Sequence, residues 1–91
     1  MTKYSLSIVS IFKNESHILS EWISYYKGRG VEHFYLVDNN STDDYHTAIE
    51  PYLDMITLFH DSRHPCQMLA YNELVLPVAK QTSKWILVVD L

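Results

Sequence analysis

Four short apolar runs, each closing on a polar cluster, alternate along this chain with segments whose apolar residues recur at helical spacing. The runs are Ser5–Phe12, Val31–Val37, Met55–Phe59 and one that begins at Trp85. Strands separated by helices of this length constrain the fold to an α/β class, a parallel sheet with right-handed crossovers. The last run, Trp85-Ile86-Leu87-Val88-Val89-Asp90-Leu91, carries the strongest signal. Its continuous β-branched and aliphatic character suits a central parallel strand, covered on both faces, that delivers a carboxylate to its carboxyl end. A strand of that kind is expected in the front part of a larger enzyme domain, here cut at its active site.

The intervening segments read as helices. Ile18, Leu19, Trp22, Ile23 and Tyr26 share one face, with Asn14 or Ser16 expected to cap the start and Gly28 and Gly30 to end it. After Asp38-Asn39-Asn40, Ser41 with Asp44 forms a capping-box pattern for a short helix reaching about Glu50, where Pro51 limits it. Met68, Leu69, Tyr71, Asn72, Val75 and Val78 trace a third helix that Pro77 should kink or split. No repeat, low-complexity tract or linker interrupts residues 1–91, which read as one partial domain.

Composition narrows the function classes. Hydrophobic residues make up 47% of the 91 and charged residues 20%, which excludes a disordered chain. The net charge is −4 with Lys and Arg scattered singly, so the basic stripe of a nucleic-acid binder is missing and no nucleic-acid partner is expected. Cys66 stands alone, which rules out an intramolecular disulfide and favours a packed or surface thiol over a nucleophile. No segment approaches the roughly 20 apolar residues that span a bilayer, and serines break the apolar run near the N-terminus. A cytoplasmic setting is the corresponding expectation.

Polar residues collect where a parallel sheet binds ligands. Lys13-Asn14-Glu15, Asp38-Asn39, Asp61 with Arg63, and Asp90 each follow the carboxyl end of a strand. Loops are polar in any case, which weakens the signal of Asp61 and Arg63. Asp90 is more telling, because a carboxylate directly after five apolar residues is costly unless it has a role. Lys13-Asn14-Glu15-Ser16 holds no glycine, so a dinucleotide-binding turn and a P-loop are both excluded. A nucleotide can still bind such a sheet if a metal neutralises its diphosphate.

Other residues suggest sites that a simpler role explains. His17, His33, His46, His60 and His64 read as loop or surface histidines; His60 and His64 have the spacing of helical zinc ligands, but His60 ends a strand and Pro65 follows His64. Tyr25 and Tyr26 could stack on a sugar or base, yet Tyr26 falls on the apolar helix face. The Asp43-Asp44 pair reads as charge stabilisation of a helix terminus.

Taken in order, Ser7 to Glu15 (SIVSIFKNE), Glu21-Trp22-Ile23 and Val31 to Asp43 (VEHFYLVDNNSTD) resemble the amino-terminal half of inverting glycosyltransferases, closest to family 2-like enzymes and the related family 92. Gln67, Ala70, Tyr71 and Asn72, then Trp85 to Leu91, continue the pattern across the whole chain. The resemblance implies the nucleotide-binding half of a GT-A fold, with a Rossmann-like parallel four-stranded sheet of order 3-2-1-4 and flanking helices. It also implies a nucleotide-diphosphate sugar donor, with UDP favoured, and a glycan, lipid or protein acceptor. In such enzymes the fourth strand ends in Asp-x-Asp, which holds Mn²⁺ or Mg²⁺ against the diphosphate, so Asp90 would be the first metal ligand.

By the same resemblance Asp38 and Asn39 would contact uracil or ribose, Lys13, Asn14 and Glu15 would lie against the nucleotide, and Gln67 would approach the phosphates or sugar. Many members carry two aspartates where this chain has Asp38-Asn39, but an asparagine carbonyl can also accept from a pyrimidine N3–H. Family members place the catalytic base and acceptor site further along the chain, and many act at a membrane surface. One carboxylate makes a weak metal site, so these residues alone are expected to be inactive. Two alternatives stand beside this reading. One is a non-catalytic α/β interaction module that dimerises through an exposed fourth strand. The other is a different nucleotide-binding enzyme, such as a methyltransferase or nucleotidyltransferase.

Overall fold

The computed structural model describes residues 4–61, 75, 77–78 and 83–89. Its elements run β1 (Tyr4–Phe12), α1 (Ser16–Gly28), β2 (His33–Asp38), α2 (Tyr45–Ile49), a 3-10 segment (Glu50–Met55), β3 (Ile56–His60) and β4 (Ser83–Val88). All strand pairs are parallel, as the alternation of strands and helices predicts, and the order is β3-β2-β1-β4, as the family resemblance implies. In register, Phe12 pairs with Asp38 and Asp38 with His60, so three strands end side by side. Of the third expected helix only Val75, Pro77 and Val78 fall among the described residues, and Cys66, Gln67 and Asp90 lie outside them.

Alternation in the central strands builds two apolar layers. Ile8, Phe12, Phe34 and Leu36 face α1 and α2, where they meet Leu19, Ile23, Tyr45 and Ile49. Val9, Tyr35 and Val37 point to the opposite face and pack with Val75. Burying each of the larger aliphatic or aromatic side chains stabilises the fold by about 1.5–3 kcal/mol. β2 is buried along its entire length, which fits its place inside the sheet.

Helix ends follow local chemistry, with two departures from expectation. Gly30 takes φ +97, and the amides of Gly30 and Val31 donate to Lys27 and Tyr26 carbonyls in a Schellman closure. At the α1 start, neither Asn14 nor Ser16 caps through its side chain. The Ser16 amide instead donates to Asp43 Oδ2 at 2.9 Å, so a carboxylate 27 residues away supplies the cap. The Ser41–Asp44 box is replaced by Asp44 capping α2 itself, accepting from the Thr47 amide and hydroxyl. Both aspartates of the pair therefore serve helix termini.

Two further expectations are corrected. Among the described strands β4 stands at the end of the order, and it is not covered on both faces as its composition suggests, since Trp85, Leu87 and Val88 are 64%, 47% and 56% exposed. His33 is not a surface histidine. It is buried in β2, stacked on Tyr4 at 4.3 Å and hydrogen-bonded through Nε2 to Thr57 Oγ1 at 2.7 Å.

Candidate functional site

The carboxyl ends of β1, β2 and β3 are joined into one polar frame centred on Asp38. Its backbone carbonyl accepts from the Asp61 amide, and the Asn39 amide donates to the Phe12 carbonyl. The Asp38 carboxylate is buried at 6% exposure and saturated with donors. Oδ1 accepts from the Ser41 amide at 2.8 Å; Oδ2 accepts from the Tyr45 hydroxyl at 2.9 Å and from His60 Nδ1 at 3.2 Å. A carboxylate has no proton to give, so the His60 tautomer here carries its proton on Nδ1.

Electrostatics follow from this geometry. Burial pushes the Asp38 carboxyl up, but hydrogen bonds from the Ser41 hydroxyl and amide, Tyr45 and His60 together hold it below its ordinary value of 3.8. A depressed folded pKa means that this contribution to stability is complete above the unfolded value and is lost as pH falls through the folded one. Tyr45 moves the other way: burial first, then the Asp38 hydrogen bond and charge, push its phenol up to about 12. Its contribution is therefore present below pH 10 and lost between pH 10 and about 12. In a spectrophotometric titration of the seven tyrosines, the last phenolate to form should vanish in Tyr45→Phe.

A polar cavity of about 180 Å³ opens at this frame, lined by Asp38, Asn40, His60 and Asp61. A larger groove of about 400 Å³ runs beside Ile18, Glu21, Trp22, Tyr25 and Tyr26 on α1. Its single carboxylate and aromatic lining include none of the strand-end polar groups, so the smaller cavity is the better candidate for a polar ligand.

Of the site residues expected from sequence, Lys13, Asn14, Glu15, Asp38 and Asn39 come together along this edge; Gln67 and Asp90 lie outside the described residues. Asn39 donates from Nδ2 to the Asp61 carbonyl at 2.7 Å. Lys13 and Asn14 are exposed, and Glu15 is half-buried. Sequence reading missed Tyr45, Asn40 and the tie between His60 and Asp38. The available signal was the position of His60 at a strand end next to Asp61; nothing local marked Tyr45. Among the described residues, no group of three metal-capable side chains occurs.

The family model for glycosyltransferase family 92 matches residues 2–91. A family 92 protein of Ricinus communis is 36% identical over 61 residues, covering 67% of this chain and 11% of that protein. An Arabidopsis thaliana family 92 protein is 38% identical over 48 residues, covering 53% of this chain and 8% of that protein. A longer match to a Ricinus communis family 92 protein, 29% identical, covers 92% of this chain and 15% of its counterpart. The chain thus spans between 8% and 15% of the length of these relatives. No solved structure gives a match of comparable significance.

Proposed function

Because the chain belongs to glycosyltransferase family 92, we propose that it supplies the donor-nucleotide end of a sugar-transfer site. The observation that carries this reading is the convergence of the β1, β2 and β3 ends on a polar cavity, framed by Asp38 and lined by Asn40, His60 and Asp61. Crevices at the carboxyl ends of parallel strands suit nucleotides, and this one offers oxygen and nitrogen groups matched to a base or ribose. The donor is a nucleotide-diphosphate sugar, UDP-linked by preference. Lys13 and Glu15 on the β1 loop and Asn39 on the β2 loop are assigned as further contacts to it, with Gln67 contributing toward the phosphates or sugar.

Diphosphate departure builds negative charge, which a divalent cation neutralises. We assign Mn²⁺ or Mg²⁺ to that role with Asp90 as one oxygen ligand. Asp90 follows Val89, whose amide donates to the Val9 carbonyl at 3.1 Å. The acceptor is a glycan, lipid or protein hydroxyl, and its activation requires a base that none of these residues is proposed to supply. No described helix is long and apolar enough to cross a membrane.

Isothermal titration with UDP and Mn²⁺ should give saturable binding in the roughly 1 µM–1 mM range common for enzyme substrates, weakened when the metal is chelated. Absence of saturable binding by both UDP and GDP in the presence of Mn²⁺ would overturn the reading.

A second reading, an interaction module that pairs through the sheet edge, draws on the exposed apolar side chains of β4. Both roles can coexist, since the exposed β4 side chains are not among those that line the cavity at Asp38.

A further inference from the structure

The loop between β2 and α2 lines the candidate cavity through Asn40, which itself sits at φ 61. Within it the Ser41 amide donates to Asp38 Oδ1 at 2.8 Å. Further bracing comes across the sheet edge from Asn14, which occupies the left-handed region at φ 54. There the Asn14 Oδ1 collects three donors: the Thr42 amide at 2.7 Å, the Asp43 amide at 3.2 Å and the Thr42 hydroxyl at 3.3 Å. In return the Asn14 amide donates to Ser41 Oγ at 3.0 Å. Two residues later the Ser16 amide meets Asp43 Oδ2, closing a second link between the same two loops.

We infer that Asn14 is a positioning residue, which sets the 39–44 loop against the cavity instead of touching the nucleotide. Three features of the residue type explain the choice. Asparagine tolerates a positive φ better than other non-glycine residues, because its short polar side chain finds local partners. Its carbonyl oxygen has two lone pairs and can serve adjacent backbone amides. The donors it satisfies, two successive amides in an open loop, would otherwise turn to water and leave the loop without a fixed shape. Ser41, held by Asn14 through its hydroxyl, is the residue whose amide donates to Asp38. The brace is thereby continuous with the Asp38 frame.

The inference rests on the nucleotide-binding reading for its functional consequence, but the brace has a readout of its own. Asn14→Gly keeps the backbone free to adopt φ 54 and deletes the brace. Asn14→Asp keeps the accepting oxygen and removes the Nδ2 donor. In amide hydrogen exchange on the 91-residue chain, Thr42 and Asp43 should exchange at least about tenfold faster in Asn14→Gly and near the wild-type rate in Asn14→Asp. NMR titrations should show UDP with Mn²⁺ binding at least about tenfold more weakly to Asn14→Gly. Asn14→Asp should stay within about threefold of wild type, with uridine titrated alongside to remove the effect of the added carboxylate on a charged ligand.

Equal loss of uridine binding in both variants, with Thr42 still protected in Asn14→Asp, would overturn the inference, because Nδ2 would then be contacting ligand. Unchanged exchange in Asn14→Gly would overturn the brace itself. Failure of the wild-type chain to bind any of these ligands would instead sink the nucleotide reading, leaving the exchange result to decide the brace.

Discussion

Asp38→Ala should destabilise the fold by about 2–5 kcal/mol, because it strands buried donors that each cost about 1–3 kcal/mol when left unsatisfied. The Tyr45 hydroxyl bears most of the loss, since Tyr45 is 3% exposed and donates to Asp38 Oδ2. The Ser41 amide adds a part-buried donor, whereas His60 contributes little because its side chain is 63% exposed and can turn to water. Asp38→Asn should fall between the two, because its single oxygen can serve Ser41 or Tyr45 but not both. Urea unfolding followed by circular dichroism measures the ordering, and Asp38→Ala should also lose saturable UDP binding. A variant as stable as wild type would show that the frame does not depend on its central carboxylate.

Much of this frame was legible in the sequence, and the reasons differ by residue. Apolar periodicity placed the strands and α1 because packing against a two-sided sheet requires those patterns, and Phe34, Leu36, Leu19 and Ile23 fill the core accordingly. Polar groups at strand ends were legible for the same geometric reason, which brought Asn14, Asp38 and Asn39 to one edge. What stayed hidden were the partners. Asp43 caps a helix that begins 27 residues earlier, and Asn14 braces a loop 28 residues on. Local patterns such as a capping box weigh only neighbours within one turn, so the role expected of Ser16 falls to the distant Asp43, while that of Ser41 falls to its neighbour Asp44. Tyr45 was illegible for a related reason, since its hydroxyl finds Asp38 only after α2 has packed.

The place of β4 at the end of the order 3-2-1-4 follows the resemblance, whereas its exposure runs against its composition. A run rich in Trp, Ile, Leu and Val suits burial, yet β4 pairs with β1 alone among the described strands and leaves Trp85, Leu87 and Val88 largely open. Sheets whose edges remain soluble are usually blunted by lysine, proline or a bulge. Here Lys84 guards one end, while the register positions opposite Ile8 and Val9 carry Leu87 and Val88. An unblunted edge of this kind should pair with a second copy, so light scattering across a concentration series should show self-association. Introducing Leu87→Lys with Val88→Lys should raise the dissociation constant about 100-fold or more, equivalent to about 2.7 kcal/mol. The substitutions place charge on both faces of the edge without touching the Asp38 frame, so binding of uridine, which needs no metal, should survive. A wild-type chain that stays monomeric at high concentration would refute pairing through β4 while leaving the nucleotide reading untouched.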